Sequence, residues 1–319
     1  MKKIIGALTF AAAAYCYISP KPASYLIRKA FEQGLATKPP AFHTYQENTI
    51  IQRNLPYSSY FTMNQYDLFL NRKKQRNPLV IWVHGGAFVG GDKADISIYA
   101  TMLAANDVTV ATMNYALAPE ATYPTPLHQL AELYTHICQH HAEDVDTSQI
   151  FIAGDSAGAQ IAAQFLLIQT DVQYANSLGI APVVPPNTIS GAILCCGPYD
   201  LEQLETLSDK KWLAALLNRA GAAYMGERRW QTSPNTALAS ILGRISSSFP
   251  PTFLTDGNTQ TFTSHTVSLA QELAEKGILH DVVLYDAPPL AHEYQFLMHT
   301  EEAQQTFERL LRFITQHSD

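Results

Sequence analysis

The pentapeptide Gly154-Asp155-Ser156-Ala157-Gly158 leaves this chain few choices of fold. It follows the apolar run Ile150-Phe151-Ile152-Ala153 and opens the apolar stretch 159–166, so it reads as strand, sharp turn and helix with a serine at the apex. Glycines two residues either side of the serine permit a turn too tight for a Cβ. Such a turn lifts the serine Oγ out of a sheet and aims the first helical N–H groups at whatever the serine attacks.

A second motif supports the first. The apolar run Leu79-Val80-Ile81-Trp82-Val83 reads as a buried strand and ends in His84-Gly85-Gly86-Ala87-Phe88-Val89-Gly90-Gly91. A glycine-rich turn at a strand end brings backbone N–H groups beside a reacting carbonyl, which is the oxyanion-binding half of an acyl-transfer site. Gly85, Gly86, Ala87 and, from the serine turn, Ala157 are the candidate donors. The plainer alternative is an ordinary glycine-rich loop or a phosphate cradle. Neither G-x-G-x-x-G nor G-K-[ST] occurs in the chain.

Around these motifs, strand patterns at 66–70, 79–83, 108–113, 150–153, 192–196, 252–255 and 282–285 alternate with helical ones at 127–141, 266–276 and 306–314. Alternation of this kind predicts an α/β fold with a mostly parallel sheet and helices on both faces. Ligands in such sheets sit at the carboxyl ends of the strands, where both motifs lie. Residues 24 to about 54 read as helical and then irregular. The stretch 201–249 breaks the alternation: no strand pattern appears in it, and its helical spacing predicts a lid or cap insertion over the site. Phe88, Trp212, Tyr224, Met225 and Trp230 are candidates for an apolar pocket wall or for the interior of that cap.

The net charge of −7, with no long basic run, argues against nucleic acid and against an anionic membrane as electrostatic partner. The four cysteines, Cys16, Cys138, Cys195 and Cys196, show neither C-x-x-C nor metal-ligand spacing, so no disulfide framework, metal or cofactor is expected. Lys2 and Lys3 precede an uncharged run over residues 4–18. As a helix it would reach about 22 Å, short of the ~30 Å hydrocarbon core of a bilayer. Residues 1–23 therefore have the shape of a secretory signal or a short membrane anchor, which predicts export or tethering. The alternative is a hydrophobic helix packed on the domain of a cytoplasmic protein. Residues 24–319 form the predicted single catalytic domain.

The segments His84-Gly85-Gly86-Ala87, Asn114-Tyr115-Ala116-Leu117-Ala118-Pro119-Glu120 and Gly154-Asp155-Ser156-Ala157-Gly158 occur in that order. Together they resemble the hormone-sensitive-lipase-like branch of the α/β-hydrolase superfamily, largely carboxylesterases and lipases, from about Tyr66 to the C-terminus. The resemblance implies an eight-stranded sheet, a helical cap and an acyl-serine mechanism without cofactor. Three departures stand out. Ala87 replaces the usual third glycine, Glu293 follows the histidine where glycine is common, and the acid is missing from its usual place.

In this fold the chain order is serine, acid, histidine. Of the histidines after Ser156, only His292 lies in a loop just after the last predicted strand, so it is the expected base. The family usually places its aspartate three residues beyond the glycine that ends the 252–255 strand. Here that position is Gln260, which cannot carry the charge that stabilises an imidazolium. Asp256 is the nearest carboxylate and the first choice; Asp200 is the alternative, and a triad without a true acid is another. The expected activity is hydrolysis of small-molecule carboxylic esters of short to medium acyl length. The rival readings are an amidase, arylformamidase or peptidase using the same residues, and a hydrolase fold that only binds.

Overall fold

A computed structural model describes residues 19–31, 34–73, 76–204 and 211–318. Most of the predicted export or anchor segment, residues 1–18, lies outside the described residues, as does the side chain of Trp212. Among the described residues no helix is long and apolar enough to cross a membrane.

Eight strands form one sheet: β1 (Thr49–Pro56), β2 (Gln65–Asn71), β3 (Asn77–Val83), β4 (Thr109–Met113), β5 (Val145–Asp155), β6 (Ile189–Cys195), β7 (Thr252–Thr255) and β8 (His280–Val283). Their spatial order is β1-β2-β4-β3-β5-β6-β7-β8. The β1–β2 and β2–β4 pairs are antiparallel, and every other pair is parallel. The helices in chain order are α1 (Lys21–Phe31), α2 (Phe42–Glu47), α3 (Ser97–Ala105), α4 (Thr125–His140), α5 (Ala157–Thr170), α6 (Val172–Leu178), α7 (Lys211–Met225), α8 (Pro234–Ala239), α9 (Thr263–Glu275) and α10 (Glu301–Gln316). The expected α/β architecture is what the chain adopts.

The alternation of side chains along a strand divides the interior into two layers. Leu79, Ile81 and Val83 of β3 pack on one face with Leu127, Leu130 and Leu133 of α4. Val80 and Trp82 face the other way, towards Tyr99 of α3 and Phe307, Leu310 and Phe313 of α10. Both faces of β3 are thus buried, which is why it reads as a continuous apolar run.

One expectation fails at the N-terminal side. Residues 49–56, read as part of a helical and then irregular stretch, form the edge strand β1. Only β2 pairs with it, and its exposure follows no period of two, so no alternation marks it in the sequence.

Register sets where the chemistry gathers. Val83 is level with Gly154, Asp155 with Cys195, and Cys195 with Thr255. The loops leaving β3, β5, β6 and β7 therefore emerge from one edge of the sheet. The stretch 201–249 carries α7 and α8 between β6 and β7, with no strand among its described residues.

Candidate active site

Ser156 sits between the last residue of β5 and the first of α5, with φ 49° and ψ −120°. A non-glycine residue in this region is strained, and the flanking glycines explain how the turn persists. A Cβ at Gly158 would run into the Val83 and His84 carbonyls, and one at Gly154 into the Gly158 backbone. The helix therefore starts hard against the end of β3. The Ser156 N–H donates to the Cys195 carbonyl at 2.8 Å, which ties the apex to β6.

His292 lies in the loop after β8, and its Nε2 stands 2.9 Å from Ser156 Oγ. Withdrawal of the ring from water pushes its pKa down to about 4. The ring is then neutral near pH 7 and able to accept a proton. Its other nitrogen, Nδ1, lies 2.8 Å from the Thr261 hydroxyl.

Asp256 follows β7 and is fully buried. It makes no direct hydrogen bond to His292, although an Asp256 oxygen, a His292 ring nitrogen and Cys196 Sγ all lie within 4.8 Å of one another. Its Oδ1 accepts from the Gly257 N–H at 2.8 Å and from the Thr261 hydroxyl. Its Oδ2 accepts from the Thr266 hydroxyl at 3.2 Å, while the neighbouring Cys196 thiol donates to Gln295 Oε1 at 3.4 Å. Burial raises its pKa to about 6 against the pull of these donors. Asp256, Thr261 and His292 thus form one hydrogen-bonded group. Asp200, the alternative acid, does not join it. Its carboxylate accepts from the Glu202 N–H at 3.0 Å and from Ser240 at 3.5 Å, while its own N–H faces His265. Gln260, at the family's acid position, lines the cavity described below and makes no hydrogen bond to His292.

The two loops that carry Asp256 and His292 are clamped together by Asn258. Its Nδ2 donates to the Tyr285 and Pro288 carbonyls, each at 2.9 Å, and its Oδ1 accepts from the Leu290 N–H at 2.8 Å. The Asn258 and Thr259 N–H groups both donate to the Leu290 carbonyl. A Cβ at Gly257 would meet the Ala291 and Leu290 carbonyls, so only glycine allows this approach.

The loop after β3 turns back on itself, with φ 115° at Gly86, 52° at Ala87 and 63° at Phe88. The Gly85 N–H donates to Asp155 Oδ2 at 2.8 Å. That bond corrects the expectation that Gly85 offers its amide to an oxyanion. The amides of Gly86, Ala87 and Ala157 have no hydrogen-bond partner among the described residues. His84 supports the turn: its Nδ1–H donates to the Gly85 carbonyl at 2.6 Å, and its ring stacks on Tyr115 with centroids 4.5 Å apart. Arg28 of α1 braces the outer side, donating to the Val89 carbonyl at 2.6 Å and the Ala118 carbonyl at 2.8 Å while pairing with Glu120.

Behind the serine turn lies a second pair of acids that the sequence does not announce. Asp155 accepts from the Trp82 indole at 2.7 Å and is hydrogen-bonded to Glu293. Glu293 Oε1 is also 3.8 Å from His292 Nε2. Burial and the neighbouring Asp155 charge push the Glu293 pKa well up.

Ser156 and His292 open onto a cavity of about 260 Å³ lined by Ala87, Phe88, Leu204, Leu217, Ala220 and Phe262, among others. Leu204, Leu217 and Ala220 come from the 201–249 stretch. Tyr224, Met225 and Trp230 are buried elsewhere in it: Tyr224 stacks on the back of Phe88 at 4.0 Å, and Trp230 packs on Gly221. Of the candidate wall residues with described side chains, only Phe88 lines the cavity.

Comparison with known proteins agrees with this architecture. Residues 80–295 match a family described as having the alpha/beta hydrolase fold. "Probable carboxylesterase 1" of Arabidopsis thaliana is 31% identical over 187 residues, covering 54% of this chain and 52% of its own. "Kynurenine formamidase" of Drosophila melanogaster is 30% identical over 145 residues, 44% of each chain. The chain thus spans about half the length, or less, of these curated relatives. Among solved structures, esterase B from Lactobacillus Rhamnosis superposes with a TM-score of 0.74 at 18% identity, over 100% of this chain and 97% of that one.

Proposed function

The chain belongs to the alpha/beta hydrolase fold family, and on that premise we propose that it is a serine hydrolase of the hormone-sensitive-lipase-like branch, cleaving carboxylic esters of short to medium acyl length. One observation carries the proposal. Ser156 Oγ and His292 Nε2 stand 2.9 Å apart at an apolar cavity, beside three amides that have no hydrogen-bond partner among the described residues.

In the proposed cycle, His292 Nε2 takes the Ser156 proton as Oγ attacks the ester carbonyl. The oxyanion is received by the N–H groups of Gly86, Ala87 and Ala157, each donor in such a site being worth roughly 3 kcal/mol. His292 returns the proton to the leaving alcohol. Water, deprotonated by the same nitrogen, then hydrolyses the acyl-serine. Asp256 is the acid of the site, acting on His292 without touching it. The 201–249 stretch acts as the cap that closes the acyl pocket. At about 260 Å³ the pocket falls below the roughly 300–1,000 Å³ usual for small-molecule sites, which favours short and medium acyl groups over long ones. Residues 1–23 serve as an export signal or membrane tether, a reading that rests on their sequence pattern.

Hydrolysis of p-nitrophenyl esters from acetate to palmitate by the wild type and Ser156→Ala tests the proposal. Turnover in the wild type that vanishes in the variant supports it. A folded wild type that turns over no ester overturns it. The formamidase relative favours a second reading, amide hydrolysis by the same residues. Matched aryl ester and N-formyl amide substrates separate the two by their kcat/KM ratio.

A further inference from the structure

The charge of Asp256 and the ring of His292 are connected by one side chain. The Thr261 hydroxyl touches both, with its oxygen 2.8 Å from His292 Nδ1 and hydrogen-bonded to Asp256 Oδ1. We propose that Thr261 is a positioning residue that relays Asp256 to His292, standing where a carboxylate bound directly to the imidazole would otherwise be. This proposal deepens the serine-hydrolase reading and rests on it.

Proton bookkeeping gives the relay a direction. A threonine hydroxyl has one proton to donate and lone pairs to accept. An ionised carboxylate only accepts, so the Thr261 proton points to Asp256. Towards His292, Thr261 can then only accept, so Nδ1 must carry the ring proton. Nε2 is left bare, and Nε2 is the nitrogen that faces Ser156. The chain Nδ1–H to Oγ1–H to carboxylate thus selects the tautomer in which His292 is a base towards the serine. It also lets positive charge on the imidazolium be balanced through a polarised hydroxyl.

Two further observations explain why the relay is built this way. The carboxylate is buried and engaged on both oxygens: Gly257 and Thr261 donate to Oδ1 and Thr266 to Oδ2. None of these donors is His292. Gln260 meanwhile makes no hydrogen bond to the ring, so no other side chain from this loop serves Nδ1.

The groups facing His292 are Thr261 and Phe262 from the loop after β7, Ser156 from the serine turn and Glu293 next to it in the chain. Glu293 is pushed towards its neutral form by burial beside Asp155, and Thr261 is the side chain that touches both the ring and Asp256.

The test compares Thr261→Val, which keeps the shape and removes the hydroxyl, with Thr261→Ser, which keeps the hydroxyl. On p-nitrophenyl butyrate the valine variant is expected to lose roughly 100-fold or more in kcat, the low end of general acid–base contributions. Its KM should stay within about threefold, because substrate binding does not use the relay. The serine variant should recover most of the loss. Asp256→Asn combined with Thr261→Val should be no worse than the poorer single variant, since both cut one path. Ring ¹⁵N spectra of His292 give a readout that does not depend on turnover. The wild type should be protonated at Nδ1, and the valine variant should show mixed tautomers. Near-normal kcat in Thr261→Val, fully additive losses, or a wild-type ring protonated at Nε2 each overturn the relay. A wild type that is inert towards esters but protonated at Nδ1 overturns the ester reading and leaves the relay supported.

Discussion

Glu293 is buried against Asp155, and that burial together with the Asp155 charge pushes its pKa well up. The Glu293 backbone has φ 61°, a conformation that favours glycine, which accounts for glycine being common after the histidine in the family. The glutamate side chain lies against Asp155, whose Oδ1 takes the Trp82 indole N–H. Asp155 in turn holds the Gly85 amide, so the acid pair fixes the start of the turn that offers Gly86 and Ala87.

Glu293→Gln should therefore preserve the fold and change its pH dependence. In the unfolded chain Glu293 ionises near 4.5, whereas in the folded protein it keeps its proton to well above that. A raised folded pKa contributes stability that is complete below about pH 4.5 and is lost as pH climbs towards the folded value. Glutamine does not titrate, so the variant should gain on the wild type as pH rises above about 4.5, the unfolded value. Thermal melts across that range check the sign. A gap that stays constant would mean that Glu293 is not the proton holder.

The pH–rate profile should carry its acid limb near Asp256 rather than near His292. Asp256 is raised to about 6 by burial, while His292 is lowered to about 4. Activity needs the ionised aspartate, so kcat/KM should fall as pH drops through about 6, with the histidine still neutral. The residual activity of Asp256→Asn should lack this limb. A wild-type profile that is flat down to pH 5 would remove Asp256 from the reaction.

Asn258→Ala should loosen the bracket between the β7 and β8 loops. It deletes two donors and one acceptor, leaving the Tyr285 and Pro288 carbonyls and the Leu290 N–H without their partner. Loss of about 1–3 kcal/mol in stability is expected. Because Asp256 and His292 sit on opposite sides of the bracket, kcat should fall while KM holds. Chemical denaturation and steady-state kinetics on the same sample check both halves.

Enlarging the pocket should move the chain-length optimum. Leu217 and Phe262 wall the cavity from opposite sides of the chain's course, one on α7 and one beside α9. Leu217→Ala is expected to raise relative kcat/KM for longer p-nitrophenyl esters and leave acetate little changed. An unchanged optimum would show that the acyl chain lies elsewhere.

The sequence was most informative where backbone sterics dictate residue type. A Cβ at Gly154 would stand 2.3 Å from the Gly158 carbonyl oxygen and one at Gly158 2.0 Å from that of Val83, far inside van der Waals contact, so the serine turn is written in glycines. His292 was found by chain order and loop position, which the fold controls. Thr261 was invisible because a hydroxyl between an acid and a ring has no spacing rule; the only signal was a glutamine where an acid belonged. Gly85 was misjudged because its amide is taken by a side chain 70 residues away. The edge strand β1 escaped because its sides face unlike surroundings along its length, and no period survives that.

The bracket made by Asn258 has a mechanical consequence. The acid, its hydroxyl and the base ride on one piece of framework at the sheet's edge, while Leu204, Leu217 and Ala220 come from a separate span of chain. This part of the chamber wall and the proton machinery are thus different spans of chain, meeting where Ser156, Thr261 and His292 line the cavity. The walls of the chamber can be rebuilt for another guest while the machinery keeps its alignment.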